Sequence, residues 1–343
     1  MSVDTTSLGI GALVLSALIT GAVRRLAVSR GVMDVPNERS SHSRATPRGG
    51  GVSIVLVCVV AWLILALAAP APRDLLIALA GGGIAVALVG FADDLFSVHP
   101  VIRLAVHLGA AAWAVVWLGG LPPLQVGDHE LHPGAAGYVA AVLGIVWVLN
   151  LFNFMDGIDG IAATEAVFVV AGAAGLTLLS RHADGLLAIE IVFVAACAGF
   201  LLWNWPPAKI FMGDVGSGFV GYVVAVLALA GSRSDPAAIW KWLILGGVFF
   251  TDATVTLVRR GLRGEPVHEA HRSHAYQWLA RRWRSHKRVT LTVVLLNVVW
   301  VLPCAVLATL YPETALWMVL VAFPPLVLLA LGVGAGRREP PRS

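Results

Sequence analysis

Long apolar stretches separated by short polar segments run along the whole chain. A helix needs ~20 mostly apolar residues to cross the hydrocarbon core of a bilayer. Eleven stretches approach this length, and ten spans remain if one of them is interfacial. They cover about 8–23, 51–70, 75–92, 101–120, 137–155, 158–180, 186–203, 216–232, 237–258, 289–310 and 315–335. The pattern therefore predicts an all-α, polytopic integral membrane protein.

The composition agrees with this interpretation and excludes several others. The 343 residues are 58% hydrophobic and 13% charged, whereas a soluble globular chain has ~45–50% apolar and ~25% charged residues. A soluble enzyme, a disordered protein and a coiled coil are all disfavoured, because each would need more polar surface. The longest polar segment, about 259–288, is too short to hold its own core. We therefore expect residues 1–343 to form a single transmembrane domain.

The basic residues predict an orientation. Alternating spans divide the loops into two sets, and 20 of the 24 Lys and Arg residues fall in one set. Because positive residues are retained on the cytoplasmic side, the N-terminus is predicted outside and the C-terminus in the cytoplasm. The same asymmetry accounts for the net charge of +4 without a nucleic-acid partner.

The acidic residues gather in the loops predicted to be cytoplasmic. Asp93 and Asp94 end the third span, Asp156 and Asp159 follow the fifth, and Asp214 follows the seventh. Charged groups near a bilayer are costly, and their positions are therefore informative. We expect one shared site, built from cytoplasmic loops at about 24–50, 93–100, 150–160, 204–217 and 259–288.

The residue types around these acids indicate their chemistry. Carboxylate and amide oxygens without paired thiols suit Mg²⁺, with Mn²⁺ as the alternative, rather than zinc. Neighbouring glycines let the backbone approach a bulky anion, and arginines would neutralise it. This combination predicts a diphosphate substrate at the membrane surface. Each cluster also has a structural interpretation, as a solvated helix end, a helix cap or an Asx-turn.

Four sequence motifs, read together, resemble one family of membrane enzymes. The motifs are Asp34-Val35-Pro36-Asn37 with Ser40, His42 and Thr46–Gly51; Asp93-Asp94; Asn150–Gly160; and Phe211–Ser217. In this order, over about residues 31–290, they resemble the polyprenyl-phosphate N-acetylhexosamine-1-phosphate transferases of glycosyltransferase family 4. Each motif alone is weak, whereas four in order on one predicted face are specific.

The resemblance implies a reaction and a location. A UDP-N-acetylhexosamine and undecaprenyl phosphate would give undecaprenyl-diphospho-N-acetylhexosamine and UMP, the first step of O-antigen or related cell-envelope polysaccharide synthesis. The enzyme would be a multi-pass protein of the bacterial inner membrane with its active site on the cytoplasmic face. A homodimer is left open, and so is the choice between direct transfer and a route through an aspartyl-phosphate.

The resemblance also implies roles for individual residues. Asp214 and Asn153 would ligate Mg²⁺, and Phe211 would lie against the uracil. Asp93 or Asp94 would contact the lipid phosphate and act as base. The remaining candidates are Asp156 and Asp159 near the reacting groups, and Arg48, Asn150, His271, Arg272 and His274 as substrate contacts.

One departure from the family concerns the donor sugar. Members that use UDP-N-acetylglucosamine usually carry His-x-His-His in the last large loop, whereas this chain has the run 271–277, His-Arg-Ser-His-Ala-Tyr-Gln. That variant favours a donor of the UDP-N-acetylfucosamine or N-acetylquinovosamine type. UDP-N-acetylglucosamine and phospho-N-acetylmuramoyl-pentapeptide transfer remain as alternatives. The competing classes are a secondary transporter and a structural partner in polysaccharide assembly.

Overall fold

The computed structural model describes residues 4–36, 44–68, 72–180, 185–266 and 271–338, and helices account for most of them. The helices are α1 (Thr5–Arg30), α2 (Val52–Ala68), α3 (Arg73–Phe96), α4 (Pro100–Leu118), α5 (Gly134–Met155), α6 (Ile161–Ser180), α7 (Leu187–Asn204), α8 (Asp214–Ser232), α9 (Ala238–Leu245), α10 (Gly247–Gly261), α11 (Ala275–Trp283), α12 (His286–Leu296), α13 (Leu302–Leu310) and α14 (Ala315–Val333). Two antiparallel pairs of short strands, β1 (Met33–Asp34) with β2 (Thr46–Pro47) and β3 (Leu124–Val126) with β4 (His129–Leu131), lie between helices.

The apolar helices lie where the hydropathy pattern predicts membrane spans. Within the described ranges, nine helical segments are long and apolar enough to cross a membrane, and the bent pair α9–α10 would make a tenth. The apolar part of α2, Val52–Leu67, is shorter than these. The protein is therefore a helical, polytopic membrane protein, whereas its orientation and the count of eleven spans stay predictions.

Two predicted spans are not continuous α-helices. The span predicted at 237–258 bends by 73° between α9 and α10, where Gly246 and Gly247 adjoin. The span predicted at 289–310 contains a π-helical segment, Asn297–Val301, shortly before Pro303. Glycine pairs bend helices, and proline has no N–H to donate to the preceding turn. Both breaks thus have local causes that a hydropathy average does not register.

Helix α8 forms the centre of the molecule, since Val215–Ser232 are all buried. Both α3 and α5 pack against it, and glycines allow the close approach. A Cβ added to Gly83 of α3 would lie 2.8 Å from the Phe219 ring, and one added to Gly221 would lie 2.8 Å from the Leu149 Cα. Small residues at helix contacts are typical of membrane proteins. This packing brings the polar ends of α3, α5 and α8 together.

Candidate active site

The candidate site begins where the end of α3 meets the start of α8. A Cβ at Gly90 would overlap the backbone carbonyl of Asp214, and only glycine therefore fits this contact. One turn later, the Asp94 carboxylate accepts hydrogen bonds from the backbone N–H groups of Asp214 (2.9 Å) and Val215 (3.1 Å). The first N–H groups of a helix have no hydrogen-bond partner within that helix. Asp94 thereby caps α8 and holds Asp214 beside the Asp93-Asp94 pair.

Two arginines join these three carboxylates. Arg48 Nε lies 2.7 Å from Asp94 Oδ1, and its Nη2 lies 3.0 Å from Asp214 Oδ1. Arg103 of α4 forms an ion pair with Asp93, and its Nη1 lies 3.2 Å from Asp214 Oδ2. We call Asp93, Asp94, Asp214, Arg48 and Arg103 the acid–arginine cluster. Asp214 stands at its centre, because both guanidinium groups contact its carboxylate.

The segment that carries Arg48 is fixed by backbone hydrogen bonds to the chain just before α8. The N–H of Phe211 donates to the carbonyl of Pro47 (2.8 Å), and the N–H of Gly50 donates to the carbonyl of Phe211 (2.9 Å). Burial acts to lower the pKa of the Arg48 guanidinium, but the carboxylates of Asp94 and Asp214 outweigh it and keep this pKa above its ordinary value. Arg48 is therefore a positioned, permanently charged group.

The turn after α5 forms a second wall of the site. Asp156 is half-buried there; removal from water raises its pKa well above the ordinary value, and the nearby Asp214 adds to this shift. Asp159 is held more tightly, because its Oδ2 accepts from the Ala208 N–H (3.0 Å) and its Oδ1 lies 3.1 Å from His286 Nδ1. Asp156 is thus the more available carboxyl for chemistry, and Asp159 orders the turn.

These elements line two adjoining cavities. The inner cavity, of about 200 Å³, is polar, and its walls include Arg48, Asn153, Asp156, Asp214 and Gln277. The outer cavity, of about 870 Å³, carries the basic side chains of Arg44, Arg281, Arg284 and Lys287. Asp159, Phe211 and His286 line both cavities. The arrangement can hold an extended anion with one end at the acid–arginine cluster and the other among the outer basic residues.

The donor set of the inner cavity fits a magnesium ion. Asp214 offers a carboxylate, and the Asn153 Nδ2 donates to Ser217 Oγ (3.0 Å), which leaves the amide oxygen of Asn153 as its metal-binding atom. Among the described residues, no group of three His, Cys, Asp or Glu side chains could hold a metal by itself. Mg²⁺ commonly takes only one or two carboxylates, and water and substrate phosphates complete its coordination.

The structure brings together only some of the residues predicted for the site. Asp93, Asp94, Asp214 and Arg48 join in the acid–arginine cluster, and Asn153, Asp156, Asp159 and Phe211 line the inner cavity. Asn150, His271, Arg272 and His274 are not part of that lining as the described residues define it. The predicted motif residues Asn37, Ser40 and His42 lie outside the described ranges.

The four predicted substrate contacts outside this lining, Asn150 of α5 and three residues of the last large loop, have other partners in the structure. Asn150 donates to the Val146 carbonyl one turn earlier (2.7 Å), and the Arg272 carbonyl accepts from Arg281 (2.9 Å). His274 Nδ1 lies 3.3 Å from Asp252 Oδ1, and the His274 ring stacks on those of His271 and Tyr276. Their roles as substrate contacts stay predictions.

The site also contains polar residues that were not predicted as site residues from the sequence, among them Arg103, Gln277 and His286. Arg103 is the sole basic residue of the short segment 93–103, a signal that could have singled it out. Gln277 and His286 lie in α11 and at the start of α12. They reach the inner cavity through tertiary packing, and the sequence pattern gives no sign of this.

Comparison with known proteins identifies the family to which the chain is similar. Residues 76–232 match the family described as Glycosyl transferase family 4. The "Probable undecaprenyl-phosphate N-acetylglucosaminyl 1-phosphate transferase" of Bacillus subtilis (strain 168) is 30% identical over 326 residues, 92% of this chain and 89% of that protein. The "Decaprenyl-phosphate N-acetylglucosaminephosphotransferase" of Mycobacterium tuberculosis (strain CDC 1551 / Oshkosh) is 29% identical over 321 residues, 84% of this chain and 78% of that protein.

Another group of relatives covers less of the chain. The "Phospho-N-acetylmuramoyl-pentapeptide-transferase" of Symbiobacterium thermophilum is 32% identical over 241 residues, 64% of this chain and 70% of that protein. The family match includes Asp93, Asp94, Asn153 and Asp214. The similarity therefore extends across the fold and includes the central carboxylates of the site. The chain belongs to glycosyl transferase family 4.

Proposed function

We propose that this protein transfers N-acetylhexosamine-1-phosphate from a UDP-sugar to a polyprenyl phosphate and releases UMP. The observation that carries the proposal is the acid–arginine cluster beside the polar inner cavity, at the end of apolar helices. A water-soluble anionic donor and a membrane-anchored anionic acceptor can meet there without either crossing the bilayer. The full-length similarity to enzymes named for such transfers supports the same reaction.

The proposed reaction forms one P–O bond and breaks another. An oxygen of the lipid phosphate attacks the phosphorus that bears the sugar, and the bond between that phosphorus and the oxygen bridging to UMP breaks. UMP leaves with the electron pair of that bond. Two anions must approach each other, and alignment and charge neutralisation therefore dominate the barrier. Arg48 and Arg103 supply the positive charge in this arrangement.

The acidic residues would have different tasks. Asp214 and Asn153 would hold Mg²⁺, which would supply charge neutralisation at the diphosphate. Asp93 contacts Arg103 and the backbone N–H of Val98 (2.7 Å), and Asp94 caps α8. Their contacts favour positioning over proton removal. A phosphate monoester, with a second pKa of ~6, is already mostly ionised at neutral pH and needs little help from a base.

The aromatic and basic residues of the outer cavity suit the nucleotide. Phe211 lies at the junction of the two cavities and offers a ring face for the uracil. Four basic side chains beyond it can attract the anionic donor before it reaches the cluster. The sugar and the reacting phosphorus would then occupy the smaller inner cavity.

A reconstituted assay tests the proposal. Purified full-length protein, a radiolabelled UDP-N-acetylhexosamine, Mg²⁺ and undecaprenyl phosphate should give a labelled lipid and an equal amount of UMP. UMP should not appear without the lipid acceptor, because free hydrolysis is not the proposed reaction. The absence of labelled lipid with every UDP-N-acetylhexosamine, from protein shown to be folded, would overturn the proposal.

The donor sugar is a separate part of the proposal. The His-Arg-Ser-His-Ala-Tyr-Gln run at 271–277 favours a UDP-N-acetylfucosamine or N-acetylquinovosamine type of donor, and thus an O-antigen role. The names of the Bacillus subtilis and Mycobacterium tuberculosis relatives favour UDP-N-acetylglucosamine instead. The same assay run across these three donors decides between them, because the preferred donor should have the highest kcat/KM.

We propose that the site faces the cytoplasm of a bacterium and that the N-terminus lies outside. The support is the distribution of basic residues, with 20 of the 24 Lys and Arg in the loops that carry the site. A fluorescent protein fused after residue 343 should fold and fluoresce, whereas a periplasm-dependent phosphatase fused there should be inactive. An active phosphatase fusion would reverse the orientation.

A further inference from the structure

Gln277 is a buried polar residue on the wall of the inner cavity that has no part in the reaction described above. Its side chain is 6% exposed, and it lies in the first turn of α11, beside Asp156 and Gly157 of the turn after α5. A buried amide normally has its hydrogen-bonding groups satisfied. A side-chain amide that reaches a cavity without a partner in the protein is available to a ligand there.

The hydrogen bonds of Gln277 fix the direction of its amide. Its Oε1 accepts from the backbone N–H of His274 (3.2 Å), as in the capping box that closes the start of a helix. The nitrogen cannot take that place, because a backbone N–H needs an acceptor. Nε2 lies on the other side, 3.2 Å from the position that a Cβ on Gly157 would occupy. Among the described residues, none accepts a hydrogen bond from this nitrogen.

The surrounding structure holds the side chain in place. Asp252 of α10 accepts from the backbone N–H groups of Ala275 (2.8 Å) and Tyr276 (2.9 Å), which fixes the start of α11. Tyr276 Oη donates to the Phe154 carbonyl (3.0 Å) and so ties α11 to the end of α5. The two donor hydrogens of Nε2 are thus presented to the cavity by a rigid support, which is how proteins build selective contacts.

The size of the cavity identifies which part of the donor would meet this amide. Pockets that enclose a whole drug-sized ligand are ~300–1,000 Å³, and the inner cavity of about 200 Å³ holds only part of a nucleotide sugar. The outer cavity, of about 870 Å³, has the basic residues that suit the nucleotide. The lining of the inner cavity includes Arg48 and Asp214 of the acid–arginine cluster and also Gln277. A sugar attached to the reacting phosphorus would lie between them.

We infer that Gln277 is a specificity-determining residue whose Nε2 donates a hydrogen bond to an oxygen substituent of the donor sugar, either the acetamido carbonyl or a ring hydroxyl. The inference rests on the proposed function, which it deepens. A buried donor discriminates strongly, because a sugar that lacks the matching oxygen leaves the amide unpaired. Gln277 then selects the sugar, whereas Arg48 and Arg103 act on the phosphates that all donors share.

Two substitutions separate donor recognition from the capping of α11. Gln277→Met keeps the size of the side chain but loses both hydrogen-bonding groups. Gln277→Glu keeps an oxygen acceptor for the His274 N–H and loses the donor. The chain's other glutamine, Gln125, lies in β3 away from both cavities; Gln125→Met therefore serves as the matched control.

The experiment measures the affinities of the full-length protein for UDP and for a panel of UDP-sugars. In the unsubstituted protein, the preferred UDP-N-acetylhexosamine should bind more tightly than UDP. Both Gln277 variants should reduce the ratio of the affinity for this UDP-sugar to the affinity for UDP by about tenfold. Gln277→Met should leave the affinity for UDP itself within about twofold. Gln125→Met should change neither affinity. UDP-glucose has a hydroxyl in place of the acetamido group and therefore shows which oxygen accepts the hydrogen bond. If the variants still bind UDP-glucose more weakly than the preferred UDP-N-acetylhexosamine, the partner of Gln277 is a ring hydroxyl.

Three results would overturn the inference. Gln277→Glu could bind the sugar nucleotide normally while Gln277→Met fails, which would leave only the capping role. UDP and the UDP-sugar could weaken equally, which would place Gln277 at the nucleotide or in the fold. The unsubstituted protein could bind UDP and every UDP-sugar equally. Failure of the proposed function is a different result, because it appears as the absence of labelled lipid in the transfer assay.

Discussion

Two groups of polar residues, one half-buried and one fully buried, show how partners decide what a carboxyl group can do. In the acid–arginine cluster, three carboxylates share two guanidinium groups beside a polar cavity. In the interior of α6, Glu165 is fully buried and accepts one hydrogen bond, from Asn297 Nδ2 (2.6 Å) in the π-helical segment. No cation among the described residues pairs with Glu165, and it borders an apolar cavity.

The two groups differ in their charge and in whether a ligand can reach them. In the cluster two arginines partly offset three carboxylates, and the proposed Mg²⁺ would add the positive charge that an anionic substrate needs. The Glu165–Asn297 pair has one amide and no counter-ion. Glu165 Oε1 and Asn297 Oδ1 are both buried without a partner among the described residues, and one proton between them would satisfy both. The pair is suited to linking two helices, and the cluster is suited to chemistry.

Removing the central carboxylate should have the largest effect. Asp214→Ala takes away the group that both arginines contact and the predicted metal ligand. Turnover of labelled lipid should fall by at least about 10²–10³-fold, the size of effect seen when a main electrostatic contact of a transition state is lost. Glu165→Gln, which changes a buried carboxyl outside the site, is the control and should stay within about twofold. Normal activity in Asp214→Ala would contradict the assignment of Asp214 as a metal ligand and the distinction drawn between the cluster and the Glu165–Asn297 pair.

Removing one guanidinium should have an intermediate effect. Arg103→Ala should lower kcat/KM about 10–100-fold, because Asp93 and Asp214 lose their shared partner and the site loses a positive charge near the phosphates. The matched control is Arg233→Ala. Arg233 also pairs with an aspartate, Asp74 (2.5 Å), but Arg233 is exposed and Asp74 is partly exposed, and such surface pairs contribute little. Equal effects of the two substitutions would show that Arg103 serves the fold alone.

The Glu165–Asn297 pair should affect stability and leave the chemistry unchanged. Glu165→Leu leaves the Asn297 amide unpaired inside the bundle and should lower the free energy of unfolding by about 1 kcal/mol, since hydrogen bonds between membrane helices are modest. The double substitution Glu165→Leu/Asn297→Leu removes both polar groups and should recover most of that loss. Denaturant unfolding in detergent measures this cycle. Additive losses would mean that the two residues do not act as a pair.

The sequence predicted the positions of the apolar helices well, because membrane burial requires long apolar runs. The charges of Asp93, Asp94 and Asp214 stand out against that background, and the family resemblance added Asn153 and Arg48; the structure places these five side chains near one another, whereas their roles stay predictions. The bend at Gly246 and the π-helical segment were not predicted, since each depends on local backbone geometry inside an apolar run. Arg103 and Gln277 were missed for another reason: their significance comes from residues far away in sequence. Long-range packing, and not residue type, makes them part of the site.

The smallest expected effect concerns His271, a titratable group outside the lining of the inner cavity that is influenced by the charges of Arg260, Glu265 and Asp252. Burial, with a further contribution from His274, lowers its pKa to about 3, against ~6.5 in an unfolded chain. Between these values the folded chain binds fewer protons than the unfolded chain, and the free energy of unfolding must therefore decrease as the pH falls through this window. Because His271 is partly exposed, the slope it contributes should be less than ~1 kcal/mol per pH unit.

Unfolding measured in detergent between pH 7.5 and 5.5 checks this prediction, since His271→Asn should show a shallower pH slope than the unsubstituted protein. An unchanged slope would assign the titration to another group. At neutral pH the imidazole is uncharged, and the Ser273 hydroxyl, 3.0 Å from its Nδ1, can donate to that nitrogen. The proton of the ring then resides on Nε2. His271 would therefore meet a diphosphate as a neutral hydrogen-bond donor, which leaves the task of balancing its charge to Arg48 and Arg103.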